Sequence, residues 1–217
     1  MSYKHHRIRD PLHNLIEFPA NEFYDAMWNV IQTRPFQRLR RIKQLGFSEL
    51  VYPGATHSRF AHSVGVFHTA RKLMEVVKGH LGNEYKLPTA EQALAAALVH
   101  DLGHGPYSHA FESVGKRLNL GMDKHETVSA RLIRDEEVSE ALKPLGSGFA
   151  SDVAEIISKT VSPSIYAAVV SSQFDADRLD YMQRDRLMTG TYHGVIDFEW
   201  LLSNLKVAAL KVQVQQT

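Results

Sequence analysis

The segment 100–112 reads His-Asp-Leu-Gly-His-Gly-Pro-Tyr-Ser-His-Ala-Phe-Glu and holds three of the chain's twelve histidines. The adjacent His100 and Asp101 offer a metal ion an imidazole nitrogen and a carboxylate oxygen. Two glycines and a proline follow, and these turn-forming residues would let His104 and His109 fold back toward that pair. This layout predicts a metal-dependent hydrolase, with metal ligands first and proton donors and phosphate contacts close behind.

Two residues elsewhere in the chain complete a candidate metal site. His62 lies in a stretch with helical apolar spacing, and Asp177 begins a later one. Any one of these residues alone is as readily a packing histidine or a helix cap, but together they favour a metal. Two imidazoles and two carboxylates suit a divalent ion such as Mn, Fe, Zn, Mg or Ni, which lowers the pKa of a bound water from about 15.7 toward about 7. We therefore predict the ligand set His62, His100, Asp101 and Asp177.

Helical spacing places further side chains near this candidate site. Arg59 and His62 are three residues apart and share a helix face, so Arg59 would contact a phosphate bound to the metal. Asp177, Tyr181 and Arg184 fall at i, i+4 and i+7, which is again one face, and Tyr181 would pack against a sugar or base there. The alternative for either arginine alone is a surface ion pair.

A second group of residues is suited to proton transfer. A histidine near the metal can protonate a leaving oxygen, because its pKa lies near neutrality, and a carboxylate such as Glu112 can orient it. The candidates are His104, His109 and His125, and spacing does not decide between them. The histidines at 5, 6, 13, 57, 68, 80 and 193 are interpreted mostly as surface or packing residues.

The segment Arg34–Lys43 carries five basic residues with interleaved apolar residues at helical spacing. We interpret it as a solvated basic face; the alternative is a surface that binds anions or nucleic acid. No glycine-rich GxxxxGK loop occurs, which excludes nucleotide binding of that class.

Composition favours a single soluble domain. The chain has 217 residues, 44% of them hydrophobic and 23% charged, with a net charge of +1. It has no cysteine, which excludes disulfides and thiolate ligands and fits a reducing compartment. The first residues lack an apolar signal core, and no apolar run is long enough to span a bilayer. We expect a cytoplasmic protein that makes no membrane contact.

Hydrophobic periodicity predicts a mainly helical fold. A small extended or hairpin element is expected at Ile8–Phe18, and Asn21 should cap a helix to about Gln32. Other predicted helices run from Pro35 to Gly46, Ser58 to Gly79, Thr89 to Val99, His125–Arg134, Ala150–Lys159, Ser164–Ser171, Ala176–Leu187 and Asp197–Leu205. Thr89 and Gln92 would form a capping box for the buried alanine-rich helix that ends at His100. The tail 206–214 alternates weakly, which fits either a strand or a frayed end.

The H…HD…D order of the four candidate ligands resembles the HD-domain phosphohydrolase superfamily. Longer strings are similar to its dNTP triphosphohydrolase branch, which includes the animal SAM-and-HD-domain enzyme and bacterial relatives. These strings are RDPLHNLIEF, PFQRLRRIKQLG, YPGATHSRFAHSVGV, HDLGHGPYSHAFE, HETVSARLI and DADRLDYMQRD. A bare HD pair is a weak signal, but these strings in this order are specific, and they extend from about residue 8 to about residue 200.

The resemblance implies an all-α HD core with a small extended N-terminal element. It implies hydrolysis of a dNTP to deoxynucleoside and inorganic triphosphate, with a histidine protonating the departing 5′ oxygen. The matching catalytic and phosphate-contacting positions are His104, His109, Glu112, His125 and Glu126. The matching substrate positions are Arg59 and Arg178 for the triphosphate, Gln44 and Leu45 for the sugar pocket, and Tyr181 and Asp185 for the deoxyribose.

Family chains continue well beyond residue 217, and their later part carries further nucleotide contacts and much of the oligomer interface. We therefore interpret 1–217 as a single HD domain that corresponds to the N-terminal part of such a chain, and we expect a homo-oligomer that binds a nucleotide. Two alternatives stay open. One is an HD phosphohydrolase acting on nucleoside monophosphates or other phosphoesters. The other is a non-catalytic regulatory module that binds nucleotides or nucleic acid, which the basic segment motivates.

Overall fold

The computed structural model describes residues 3–192 and 194–207, and it confirms an all-α fold with one small N-terminal sheet. The two strands are β1 (His6–Asp10) and β2 (Asn14–Phe18). The described α-helices are α1 (Glu22–Gln32), α2 (Arg34–Arg38), α3 (Arg59–Leu81), α4 (Leu87–Val99), α5 (His109–Arg117), α6 (His125–Arg134), α7 (Glu136–Leu142), α8 (Phe149–Ile157), α9 (Ile165–Val170), α10 (Ala176–Thr189) and α11 (Phe198–Asn204). Short 3-10 turns occupy Leu39–Arg41, Gly46–Leu50, Gly82–Glu84 and Lys143–Leu145. Within these residues no helix combines the length and apolarity needed to cross a membrane.

The N-terminal element is an antiparallel hairpin, as predicted. Ile8 pairs with Ile16 in its register. The turn is held by the carboxylate of Asp10, whose Oδ1 accepts from the backbone N–H groups of Leu12 and His13 at 2.9 Å each. Side chains alternate between the two faces of β2, which buries Ile16 and Phe18. One face of the hairpin therefore packs on the helical core.

Helix α3 is the central element and packs against α4, α9 and α10. It is 23 residues long, begins after Ser58 and buries apolar side chains along most of its length. Helix α4 is also buried, and every residue from Ala93 to Val99 is inaccessible or nearly so. Its alanines are strong helix formers with small side chains, so neighbouring helices pack closely around it. Both helices were predicted, and α4 delivers His100 at its C-terminal end.

Several predicted boundaries are confirmed. Asn21 caps α1 by accepting from the N–H of Tyr24 at 2.9 Å. Helix α6 has the predicted bounds, and the predicted helices that correspond to α3 and to α8–α11 agree with the structure to within about two residues. Apolar periodicity is clear in these helices. At α9, α10 and α11 the N-cap side chains of Ser164, Asp175 and Asp197 also accept backbone N–H groups.

Two predictions about helix ends are wrong. The helix predicted from Pro35 to Gly46 is only α2 and a 3-10 turn, because the chain becomes extended at Ile42, whose carbonyl accepts from the N–H of Arg59 at 2.9 Å. The capping box at Thr89 does not form either. Helix α4 already begins at Leu87, and the side-chain amide of Gln92 donates to Asp152 at 2.7 Å instead.

Neither α5 nor α7 is predicted from the sequence. Helix α5 directly follows Tyr107 and Ser108, both of which adopt positive φ values (61° and 56°), so its start has no ordinary capping pattern. Helix α7 follows α6 after the single residue Asp135, and no glycine or proline marks the boundary between them. The weak strand considered at 206–214 lies outside the described residues except for its first two positions.

Helices α3 and α10 approach each other over Gly65. A Cβ atom built on Gly65 would overlap the side chains of Asp180 and Arg184. These two residues are fully buried and bonded to each other at 2.8 and 3.0 Å. Arg184 also donates to Asp10 of the hairpin at 2.8 Å. The absent side chain at Gly65 therefore makes room for a buried ion-pair network.

We predict that Gly65→Ala destabilises the fold by about 2–4 kcal/mol, because the methyl group displaces a buried ion pair in a packed interior. Gly79→Ala is the matched control in the same helix, since nothing lies within 4 Å of a Cβ there. It should stabilise the protein by about 0.5–1 kcal/mol through helix propensity. Urea unfolding measures both free energies, and equal effects of the two substitutions would contradict the structure.

Candidate metal centre and its cavity

The four predicted ligands converge from three helices. His62 lies in the first turn of α3, His100 and Asp101 follow α4, and Asp177 lies in the first turn of α10. His62 Nε2 is 2.9 Å from Asp177 Oδ1, and His100 Nε2 is 3.7 Å from the same oxygen. The other carboxylate, on Asp101, lies 3.2 Å from His100 Nε2 and 3.7 Å from His62 Nε2. Residues 115 positions apart in sequence thus meet at one point.

The donor atoms of this set fit a divalent cation. His100 directs its Nδ1 to the carbonyl of Ala97 at 2.9 Å, which leaves Nε2 buried and without a hydrogen-bond partner. An orphaned ring nitrogen beside two carboxylates has the position and chemistry of a metal ligand. The ligand atoms of His62, His100 and Asp177 lie within 4.8 Å of one another.

The electrostatics of the centre favour positive charge. Burial alone would lower the pKa of His62, but hydrogen bonds to Asp177 and Asp180 raise it to about 10. Burial opposes ionisation of Asp177 too, yet hydrogen bonds from His100 and His62 hold the pKa of its carboxyl well below the usual range. The carboxylates thus stay ionised and retain a proton on His62 when no cation replaces it.

Behind the centre, the carboxylate of Asp180 holds His62 in place. It is fully buried, and its Oδ2 lies 2.8 Å from His62 Nδ1. Its Oδ1 is 2.6 Å from His13 Nε2, and Arg184 donates to both oxygens. A carboxylate on the far nitrogen of a metal-binding histidine fixes the ring orientation and raises its basicity.

The sequence did not predict that Asp180 and Arg184 hold His62 in place. Arg184 was expected to face the ligand on the side of Tyr181, but it lies fully buried behind the centre because it pairs with Asp180 and Asp10. The signal available was the spacing of Asp180 from Arg184, at i and i+4 on one helix. His13, grouped with the surface or packing histidines, in fact binds a buried carboxylate.

A cavity of about 520 Å³ opens onto the metal centre. His100, Asp101 and Asp177 contribute to its wall, as does Lys159, which was not predicted. The predicted site residues that line it are Gln44, Arg59, His104, His109, His125, Glu126, Arg178 and Tyr181. Four predicted residues do not line it, namely the ligand His62, which lies behind Asp177 and Asp101, and Leu45, Glu112 and Asp185.

Asp185 and Glu112 have other partners. Asp185 Oδ1 lies 2.7 Å from Nε2 of the buried His57. Glu112 lies behind the cavity wall and accepts a hydrogen bond from His125 Nδ1 at 2.6 Å. The carboxylate of Glu112 therefore positions a histidine, which is the orienting role that the sequence suggested for it.

Three histidines gather beside the metal centre. The rings of His104 and His125 stack at 3.9 Å between centroids, and His109 meets both rings edge-on. They differ in protonation, because burial lowers the pKa of His104 to about 4 despite the neighbouring Asp101. At neutral pH, His104 is therefore an uncharged ring.

Arg59 is buried and engaged by neighbouring protein groups. Its guanidinium forms a close ion pair with Asp101, and its Nε donates to Ser108 Oγ at 2.9 Å. Because Asp101 is a candidate metal ligand, this ion pair fixes the orientation of that carboxylate. Arg59 also lines the cavity, so the predicted phosphate contact agrees with its position.

The basic segment 34–43 is not one helical face. Arg34, Arg38, Arg40 and Arg41 are all exposed, which agrees with the interpretation of a solvated face. Arg38 nevertheless has a structural role, since it donates to the carbonyls of Leu102 and His104 at 2.5 and 2.8 Å. It thereby stabilises the loop that carries the candidate ligands.

Comparison with known proteins identifies the family. The family profile described as "HD domain" matches residues 59–186, which is more than half of the chain. The chain belongs to the HD domain family. This match includes all four candidate ligands and confirms the predicted membership.

Relatives of this HD domain chain include proteins with and without a described activity. It is 40% identical over 211 residues to the uncharacterized protein YwfO of Bacillus subtilis, covering 97% of this chain and 46% of that protein. It is 36% identical over 211 residues to the deoxynucleoside triphosphate triphosphohydrolase SAMHD1 homolog of Dictyostelium discoideum, covering 92% and 39%. A solved phosphohydrolase from Bacteroides thetaiotaomicron superposes with a TM-score of 0.78 at 34% identity, covering 95% of this chain and 47% of that one. The chain thus spans about half the length of these relatives or less.

We predict that His62→Ala weakens binding of a divalent transition metal by at least about 100-fold. The substitution removes a ligand, whereas a change to an outer residue typically costs 10–100-fold. His80→Ala, at the exposed end of the same helix, should leave the affinity unchanged. Calorimetric titration and metal content after dialysis test this, and unchanged affinity in His62→Ala would exclude the assigned centre.

Metal binding should release a proton at neutral pH. Because the pKa of His62 is raised to about 10 in the metal-free protein, the ring is protonated below that pH and must lose its proton to become a ligand. The apparent metal affinity should therefore rise with pH, by about tenfold per pH unit for one proton released. Calorimetry in buffers of different ionisation enthalpy counts the protons, and zero protons released at pH 7 would contradict this prediction.

Proposed function

We propose that this HD domain is a metal-dependent phosphohydrolase centre that cleaves dNTPs to deoxynucleoside and inorganic triphosphate. The observation that carries the proposal is a cavity whose wall combines three of the four candidate metal ligands with cationic and imidazole side chains. Its volume of about 520 Å³ lies within the range of about 300–1,000 Å³ that is usual for small-molecule sites. The recorded activity of the SAMHD1 relatives supports dNTPs as the substrate class.

In this proposal His62, His100, Asp101 and Asp177 hold the metal. A divalent ion bound there would polarise a phosphoryl oxygen and lower the pKa of water. The chain's own contribution is to fix these ligands before substrate arrives. His62 is held by Asp180 at 2.8 Å, and Asp101 is held by its ion pair with Arg59.

The positively charged side chains in the cavity wall are suited to binding a triphosphate. Arg178 and Lys159 line the cavity together with Arg59. A guanidinium binds phosphate oxygens in pairs, and desolvation inside a cavity strengthens such contacts. Gln44 and Tyr181 also line the cavity, which agrees with the sugar contacts that the resemblance implies for them.

Proton transfer to the departing 5′ oxygen falls to the histidines that share Glu112. His125 and His109 lie 2.6 and 3.3 Å from Glu112 Oε1 through their Nδ1 atoms. A carboxylate at this position fixes the orientation of the ring that would donate the proton. The low pKa of His104, about 4, leaves it without a second proton at neutral pH. We therefore assign the acid to His109 or His125, with His104 contacting phosphate as a neutral ring.

We predict release of inorganic triphosphate when the protein is incubated with dNTPs and Mn²⁺. Asp101→Asn should abolish it, because the variant loses both a ligand and the partner of Arg59. Asp152→Asn is the control, since Asp152 is exposed and outside this cavity. Product chromatography provides the measurement. Absence of triphosphate from all four dNTPs across several metals would refute the proposed substrate class.

The same assay distinguishes the alternatives. Orthophosphate released from nucleoside monophosphates, without triphosphate from dNTPs, would identify a different HD phosphohydrolase. Salt-sensitive binding of single-stranded nucleic acid, without any turnover, would identify a regulatory module. In that last case, neutralising Arg40 and Arg41 should weaken the binding.

A further inference from the structure

Four side chains beside the candidate metal centre converge on a second point. None of them is a candidate ligand of that centre. They are His104, His109, Glu112 and His125, and one potential ligand atom from each lies within 4.8 Å of all the others. Glu112 Oε1 is 2.6 Å from His125 Nδ1, 3.3 Å from His109 Nδ1 and 3.9 Å from His104 Nδ1. Three imidazole nitrogens therefore surround a single carboxylate oxygen.

We call these four residues the imidazole cluster. His104 is its unusual member. Its side chain is 99% buried, yet neither ring nitrogen has a hydrogen-bond partner with acceptable geometry among the described residues. A buried polar atom left unpaired costs about 1–3 kcal/mol. Its Nδ1 faces Glu112, and its Nε2 lies 3.3 Å from Asp101 Oδ1. The ring is thus aimed at a group that the protein alone does not supply.

We propose that the imidazole cluster is a second metal site, and that it binds a zinc ion through His104, His109, His125 and Glu112. Three imidazoles and one carboxylate suit zinc, which prefers nitrogen ligands in tetrahedral geometry. Zinc–ligand bonds of about 2.0–2.1 Å place tetrahedral ligand atoms roughly 3.3–3.4 Å apart. The spacings of 2.6, 3.3 and 3.9 Å around Glu112 Oε1 bracket that value.

The required movements are small. Each ring would present its Nδ1 lone pair to the zinc ion and carry its proton on Nε2, so the hydrogen bond from His125 Nδ1 to Glu112 is exchanged for two bonds to the ion. For His104, the Nε2 proton would then point at Asp101. This is the carboxylate–imidazole–metal arrangement that orients metal-binding histidines in general. His109 is 68% exposed and is free to rotate into the site.

The consequence for activity rests on the proposed function. A zinc ion at the imidazole cluster takes the lone pairs of the histidines that would otherwise donate a proton and contact phosphate. Binding there therefore inhibits hydrolysis while the neighbouring centre keeps its own metal. The cluster becomes a site through which zinc regulates the enzyme.

Zinc stoichiometry tests the site without any nucleotide. Chelator competition on the full chain should show two zinc ions per wild-type protein, one in His62→Ala and one in His109→Ala. In the His62→Ala background, adding His109→Ala or Glu112→Gln should weaken the remaining zinc by at least tenfold. Adding His80→Ala, an exposed histidine elsewhere, should change nothing. Cobalt bound to His62→Ala should give the visible absorption of a tetrahedral ion.

The inference is overturned if His62→Ala binds no zinc, or if its zinc is unaffected by both His109→Ala and Glu112→Gln. Because His109 is exposed, loss of binding in His109→Ala cannot be attributed to misfolding, and circular dichroism verifies the fold of each variant.

Inhibition is measured on wild-type protein loaded with Mn²⁺. One equivalent of zinc should lower triphosphate release at least tenfold, with the manganese content unchanged. If zinc binds the cluster without slowing release, the regulatory role is refuted. If no dNTP is hydrolysed at all but the zinc stoichiometry holds, the proposed function fails while the second metal site stands.

Discussion

The buried pairing of Arg184 with Asp10 and Asp180 is the interaction on which the rest of the structure depends. Arg184 donates to both carboxylates, which lie on the hairpin and on α10. Charges in an interior are stable only when each is paired, so these three residues enforce one arrangement of the hairpin, α3 and α10. The same arrangement brings Asp180 to the back of His62. The metal centre is thus connected to the fold by a continuous chain of ionic contacts.

This connection explains how the candidate metal centre is assembled from residues so far apart in sequence. The ligands lie at the ends of long, well-packed helices, α3, α4 and α10, and their positions follow from helix packing. Rigid elements hold functional groups more accurately than loops do. The neighbouring histidines lie on the loop after α4 and on α5 and α6, and Glu112 links two of them. The candidate ligands are therefore positioned by helix packing, and His109 and His125 by their contacts with Glu112.

The sequence predicted which residues would meet at the candidate metal centre, but not the residues that hold them in place. The four candidate ligands could be named because their H…HD…D order resembles that of the HD domain family. Helices α3, α4 and α10 were identifiable because their periodicity and ends are regular. The role of Arg184 could not be identified from the sequence, because its partner Asp10 is 174 residues away and no local pattern encodes that contact. Helix α5 was missed because its start depends on two residues with positive φ, which only the packed structure stabilises. Leu45 and Asp185, carried over by resemblance, lie outside the cavity surface.

The distance in sequence between Asp10 and Arg184 also constrains how the protein matures during synthesis. A ribosome adds about 5–20 residues per second, so the hairpin emerges well before α10 is made. Until then His13 has no Asp180 to bind, Asp177 is absent, and the nascent chain carries only three of the four ligands. Long-range contacts of this kind also form slowly. Stable metal loading of the candidate centre would consequently follow translation of α10, long after the hairpin residue Asp10 has been synthesised.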